Sequence, residues 1–196
     1  MRGPVAAPAV KRVSTALILR ATEDASMKQH FSMLAAYNAW ANGLIYDAAG
    51  ELGDAALWED AGVAFTSLGG TLNHILVADR IWLKRFTGQG DAPAALDTIL
   101  FRDLPRLHEA RRAEDDRIAD YVAGLTSENL RGRFSYLTVS DMRTISQRLA
   151  PALAHFFNHQ THHRGQAHAA LTRLSGKAPS LDLIAFQRNE AGRAFA

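Results

Sequence analysis

The chain of 196 residues is 47% hydrophobic, carries 22 Lys and Arg against 20 Asp and Glu, and has no cysteine. Such a chain makes one globular domain with a real core, and it excludes disulfides, thiolate catalysis and cysteine-based zinc sites. The net charge of +2 is interspersed, with no basic aromatic-rich motif and no apolar run of the roughly 18–20 residues a membrane helix needs, so neither nucleic acid nor a membrane is an expected partner.

At the N-terminus Arg2, Lys11 and Arg12 precede a short apolar stretch, Thr15 to Leu19, which Arg20 closes. The stretch is shorter than a secretory h-region, so no signal peptide is expected and the location is expected to be cytoplasmic. Residues 1–25, with Pro4 and Pro8, read as a loosely structured extension ahead of a domain over 26–190, and Met27 offers an alternative start. A first helix is expected from an N-cap at Ser26 to Ala49, ahead of Gly50. Along it Phe31, Leu34, Ala35, Asn38, Ala41, Asn42 and Ile45 recur at helical spacing. The turn-rich segment that follows carries Trp58 as an anchor against the core.

A second helix is expected over Ser67–Phe86, where Leu68, Leu72, Ile75, Trp82 and Phe86 form an apolar stripe. Asp79 falls on that stripe, so its carboxylate must be paired, hydrogen-bonded or near solvent. The Gly88–Pro93 breaker ends this helix. A third helix starts near Asp103, tolerates Pro105 in its first turn, and stops at Gly124. Its Arg111–Arg117 segment reads as a solvated, salt-bridged face. Phe134, Tyr136, Thr138 and Val139, then Thr144 and Ile145, are β-formers around Ser140 and Asp141 and suggest a short hairpin. A fourth helix runs from Arg148 or Leu149 to Leu174, and the tail around Asp182–Phe186 is expected to pack back. The fold class is therefore all-α: a four-helix bundle with a short irregular or β-like segment between its third and fourth helices. The long connections before the fourth helix permit a topology other than up-down-up-down.

Four of the eight histidines lie within residues 155–163 of that last helix. His155, His159 and His163 are spaced i, i+4, i+8, and each such step turns the side chain by about 40°, so they share a face. Two imidazoles one turn apart make half of a metal site. His74, in the middle of the second helix, can be brought to the same level by a bundle, and three imidazoles with an open fourth position are a catalytic-type arrangement. Gln166 is placed to support a ligand. His155 fits a rim role better than a fourth ligand, His162 and His168 point away, and His30 and His108 read as structural or solvated. Gln160 stands where an H-E-x-x-H metalloprotease carries its general base, which excludes that chemistry.

The segment Asn158-His159-Gln-Thr-His-His163-Arg164-Gly165-Gln166 resembles the N-H-x-x-x-H-R-G-Q stretch of DinB/YfiT-like metal-binding bundles. Leu72–Trp82, around His74, is similar to the family's second-helix histidine segment, and Tyr37-Asn38-Ala-Trp40-Ala-Asn42 to its first-helix motif. The resemblance spans about Met27 to Phe186. It implies one divalent metal ion held by His74, His159 and His163, with Ni²⁺ or Zn²⁺ most common and Fe²⁺ or Mn²⁺ compatible with the same donors. It also implies a homodimer. It is not a resemblance to the translesion polymerase of the same name, for which the chain is too small and lacks paired carboxylates. Some members of the family carry out transfer or isomerisation reactions that depend on a low-molecular-weight thiol, in detoxification or stress response. The resemblance leaves two readings open: such an enzyme, with S-transferase-like or hydrolase-like activity on a small molecule, or a non-catalytic metal-binding stress-response protein. Asp79, Tyr37 and Arg164 are candidates for polar pocket walls. Arg164 is expected to pair with an acidic group or cover the bundle, and Gly165 to let a neighbouring helix approach.

Overall fold

A computed structural model describes residues 15–138 and 142–196 of the chain. Four long helices form the body: α1 (Thr15–Gly50), α3 (Leu68–Thr87), α4 (Leu104–Ala123) and α6 (Leu149–Ser175). Between them lie two short helices, α2 (Asp54–Leu57) and α5 (Ser127–Arg131), and a hairpin of β1 (Arg133–Leu137) and β2 (Thr144–Arg148). A last short helix, α7 (Leu183–Arg188), and a 3₁₀ turn at Arg193–Phe195 close the chain. The all-α bundle expected from the sequence is thus present, with the β-like segment between the third and fourth long helices. Val139, Ser140 and Asp141, expected around the hairpin turn, lie outside the described residues.

The helix ends follow local chemistry. Ser67 Oγ accepts from Gly70 N at the start of α3, Asp103 accepts from Arg106 N at the start of α4, and Gly88 and Gly176 end α3 and α6 in the left-handed conformation. The first helix differs from expectation: α1 begins at Thr15, not at a Ser26 cap. Of the extension expected over 1–25, residues 15–25 are therefore the opening turns of α1, and 1–14 lie outside the described residues.

Cross-helix contacts define the topology. Phe31 meets Phe157 and Asn38 meets Arg164, so α1 and α6 run parallel. His74 meets His163 and Asp79 meets Gln160, so α3 opposes α6; Asn38 and Asn42 meet Asp115 while Lys28 meets Ala123, so α4 opposes α1. The order is up-down-down-up. The crossover this demands is the segment 88–103, between the second and third long helices rather than before the fourth. It must run back along the whole of α3, a helix of 20 residues and about 30 Å, and it does so in contact with it: Leu100 N and Phe101 N both donate to Asn73 Oδ1 near the start of α3.

Two large apolar clusters fill the bundle, and a smaller third one, of Tyr37, Ala41 and Phe186, seats the tail. One gathers Ile45, Leu57, Leu72, Leu76, Leu107 and Leu171; the other gathers Phe31, Leu83, Ile118, Leu153, Phe156 and Phe157. Between them each long helix contributes polar residues: Asn38 and Asn42 from α1, Asp79 from α3, Arg111 and Asp115 from α4, Gln160 and Arg164 from α6, all buried. Here the structure corrects the solvated face expected over Arg111–Arg117. Arg111 is 1% exposed and its guanidinium stands 2.6 Å from Asp79 and 3.0 Å from Asp115. Glu114 is also buried, bridged to Arg117 at 2.7 Å. The charged run masks one inward stripe, Leu107, Arg111, Glu114, Asp115, Ile118 and Val122. The tail packs as expected: Phe186 is fully buried against Tyr37 and Trp40. Among the described residues no helix is long and apolar enough to cross a membrane.

Candidate metal centre

α3 is buried on every side over Leu68–Asp79, so His74 is 3% exposed although it lies off the apolar stripe. α6 turns His159 and His163 toward it across the antiparallel pair. One ring nitrogen from each of His74, His159 and His163 lies within 4.8 Å of the other two, and the Nε2 atoms of His74 and His163 are 3.2 Å apart. Nitrogens bound about 2.0–2.1 Å from one tetrahedral ion stand about 3.3–3.4 Å apart.

The far nitrogens of His74 and His163 are committed. His74 Nδ1 is 2.8 Å from the carbonyl oxygen of Leu96, which can only accept, so Nδ1 carries the proton. His163 Nδ1 is 2.9 Å from Gln166 Oε1 and donates to it in the same way. A neutral imidazole has one proton. Both Nε2 atoms are therefore bare lone pairs, and they face each other. Burial, reinforced by the neighbouring rings, lowers all three pKa values: to about 4 for His74, to about 3 for His159, and below the ordinary range for His163. The triad is neutral at pH 7, and what suits two converging lone pairs is a cation between them. Phe65 stacks on the His74 ring at 3.7 Å and fixes its plane.

His155 shares the helical face but not the cluster. It is exposed, with its ring 5.1 Å from that of Trp82 and 5.9 Å from that of His159. His162 is exposed and His168 half-exposed, and neither belongs to the triad. Gln160 is buried and donates from Nε2 to Asp79 Oδ1 at 2.9 Å. The residue that excludes protease chemistry thus ties α6 to α3 beside the histidines.

The expected pocket walls are corrected. Asp79, Tyr37 and Arg164 belong to the interior polar layer. Asp79 accepts from Arg111 and Gln160; burial pushes its carboxyl up to about 6, against the pull of both partners. Arg111, first penalised by burial, ends above its ordinary range because Asp115 and Asp79 flank it. Arg164 is bonded not to a carboxylate but to the amide oxygens of Asn38 and Asn42, and its guanidinium lies over the Tyr37 ring. Those two asparagines in turn donate to Asp115. Tyr37 Oη donates to Leu181 O at 2.6 Å. Gly165 is exposed, and a β-carbon there would meet nothing within 4 Å, so no close helix approach requires it.

The pattern of the DinB family matches residues 27–193, which take in the whole bundle and all three histidines. The chain belongs to the DinB family. It is similar to Protein DinB of Bacillus subtilis (strain 168), at 24% identity over 145 residues, covering 72% of this chain and 84% of that protein. No solved structure matches the chain. A DinB-family bundle with three histidines gathered between its second and fourth long helices can hold a metal ion.

Two contributors to the site were not read from the sequence. Leu96 acts through its backbone, in a crossover loop whose path depends on topology. Phe65 precedes α3 and reaches back over His74; an aromatic residue two positions before an N-cap carries no such signal on its own.

Proposed function

We propose that this chain binds one divalent metal ion, Ni²⁺ or Zn²⁺ first among the candidates, through His74 Nε2, His163 Nε2 and a ring nitrogen of His159, and that the site serves a transfer or isomerisation reaction dependent on a low-molecular-weight thiol. The observation that carries the metal reading is the pair of unprotonated Nε2 atoms 3.2 Å apart, each fixed by a hydrogen bond on the far side of its ring. Three neutral nitrogen donors leave at least one position open, and a divalent cation there supplies Lewis acidity that lowers the pKa of a bound water or thiol. The protein's own part is orientation: Leu96, Gln166 and Phe65 hold the rings, and burial keeps them unprotonated. The thiol-dependent chemistry rests on the family resemblance.

One observation favours the second reading, a metal-binding protein without catalysis. The carboxylate of Asp79, one helical turn or so beyond His74, is saturated by Arg111 and Gln160 and is not available as a general base. Elemental analysis of protein purified without a histidine tag tests the metal: about one ion per chain is expected, and its absence overturns both readings. Turnover of monochlorobimane with glutathione, mycothiol or bacillithiol then favours the enzyme, and no turnover with metal bound favours the non-catalytic protein. The homodimer that the resemblance implies is checked by light scattering.

A further inference from the structure

Arg85 is held in a way its helix does not explain. It lies in the last turn of α3, where a cation suits the helix dipole. But the dipole places no demand on the side chain, and here the guanidinium rests against two rings, its Cζ 4.6 Å from the ring centre of Trp82 on the same helix and 4.6 Å from that of Tyr136 on β1, the two rings being in contact with each other. Its Nε is buried with no acceptor, and among the described residues no carboxylate pairs with it. Its partial removal from water costs free energy and pushes its pKa down. A chain that only needed to fill this gap could have used an apolar residue.

The guanidinium opens onto a groove of about 590 Å³ between α3, the crossover loop and the hairpin, a size suited to a small organic ligand. Its walls combine two cations, Lys84 and Arg85, with an apolar lining that includes Ile81, Pro93 and Leu137, and among the described residues no Asp or Glu lines it. Leu137 is 53% exposed, an uncovered apolar side chain at the rim. Two positive charges at one side of an apolar trough are complementary to a molecule with an anionic head and an apolar body.

The position is separate from the histidines but not remote. Arg85 is eleven residues after His74, on the same face of α3 and about 16 Å along it. The loop that walls the groove through Ala92, Pro93 and Ala94 is the one whose Leu96 carbonyl holds His74.

We propose that this groove is a binding site for a small amphipathic organic anion, its carboxylate on Arg85 and Lys84 and its apolar chain against Ile81, Pro93 and Leu137. The site does not depend on the metal reading and stands or falls on its own ligand.

Octanoate is the probe, with 1-octanol and inorganic phosphate as the matched controls, titrated into the full-length protein by calorimetry and by backbone amide shifts. Octanoate is expected to bind once per chain, with the largest shifts in 81–94 and 135–137, and 1-octanol and phosphate to bind at least tenfold more weakly. Losing a charge-assisted contact, Arg85→Gln is expected to weaken octanoate roughly tenfold to a hundredfold, with Arg85→Lys retaining part of the affinity. Lys84→Ala, at an exposed position with no fold to disturb, is expected to weaken it severalfold. Binding of 1-octanol as tight as that of octanoate, shifts centred elsewhere, wild-type affinity in both Arg85→Gln and Lys84→Ala, or no octanoate binding at all overturns the proposal.

Discussion

His74 and His163 present bare Nε2 atoms to one another at 3.2 Å, each ring held from behind by an oxygen that accepts its Nδ1 proton. Neither atom can donate to the other, so the contact is not a hydrogen bond between the two rings. It is a pair of aligned lone pairs, and the acceptors that align them belong to a loop carbonyl and to a glutamine one turn along α6.

The alignment has a consequence for Gln166. Gln166→Leu removes the acceptor while leaving all three histidines in place, and second-sphere partners of this kind are worth about tenfold to a hundredfold in metal affinity. Competition against a chelator should show that loss, with a melting temperature close to wild type. His155→Ala, outside the triad, should leave affinity unchanged.

The interior polar layer should be costly to break. Arg111 lies between Asp79 and Asp115 with all three nearly sealed from water, and removing one partner of such a group leaves buried charge uncompensated. Arg111→Ala is expected to destabilise the chain by about 3–5 kcal/mol in urea unfolding. Arg112→Ala, one position on and exposed, should stay within about 0.5 kcal/mol of wild type.

Protein stripped of metal should lose stability on mild acidification. His74 and His159 have folded-state pKa values lowered to about 4 and about 3, against about 6.5 when unfolded. As pH falls below about 6.5 the unfolded chain takes up protons that the folded chain refuses, so unfolding is favoured progressively down to about pH 4 for His74 and about pH 3 for His159. Chemical denaturation at pH 7.0 and 5.0 should show this drop, and His74→Ala should reduce it.

The tail is part of the bundle. Phe186 is fully buried against Tyr37 and Trp40, and Tyr37 donates to Leu181. Phe186→Ala should cost about 3–5 kcal/mol, read as a lower denaturation midpoint with cooperative unfolding retained.

The legible parts of this fold are those written in local pattern. The caps at Ser67 and Asp103, the stops at Gly88 and Gly176, the β-branched and aromatic run around Tyr136, and the i, i+4 spacing of His159 and His163 each have a cause within a few residues. The Arg111–Arg117 run misled because a charged stripe facing a charged interior looks, residue by residue, like one facing water; only Asp79, Asn38 and Asn42, from two other helices, reveal the difference. Asp79 did announce itself as a carboxylate on an apolar stripe, but its partner on α4 could not be named before the topology was known. Leu96 is the extreme case, since any residue at that position offers the same carbonyl.

The central claim is that His74, His159 and His163 bind one metal ion together. X-ray absorption of the metal-loaded, untagged protein tests it most directly, alongside His74→Ala. Three imidazole nitrogens at about 2.0–2.1 Å, falling to two in the variant, is the result expected. An unchanged spectrum in His74→Ala, or a first shell dominated by oxygen, would contradict it.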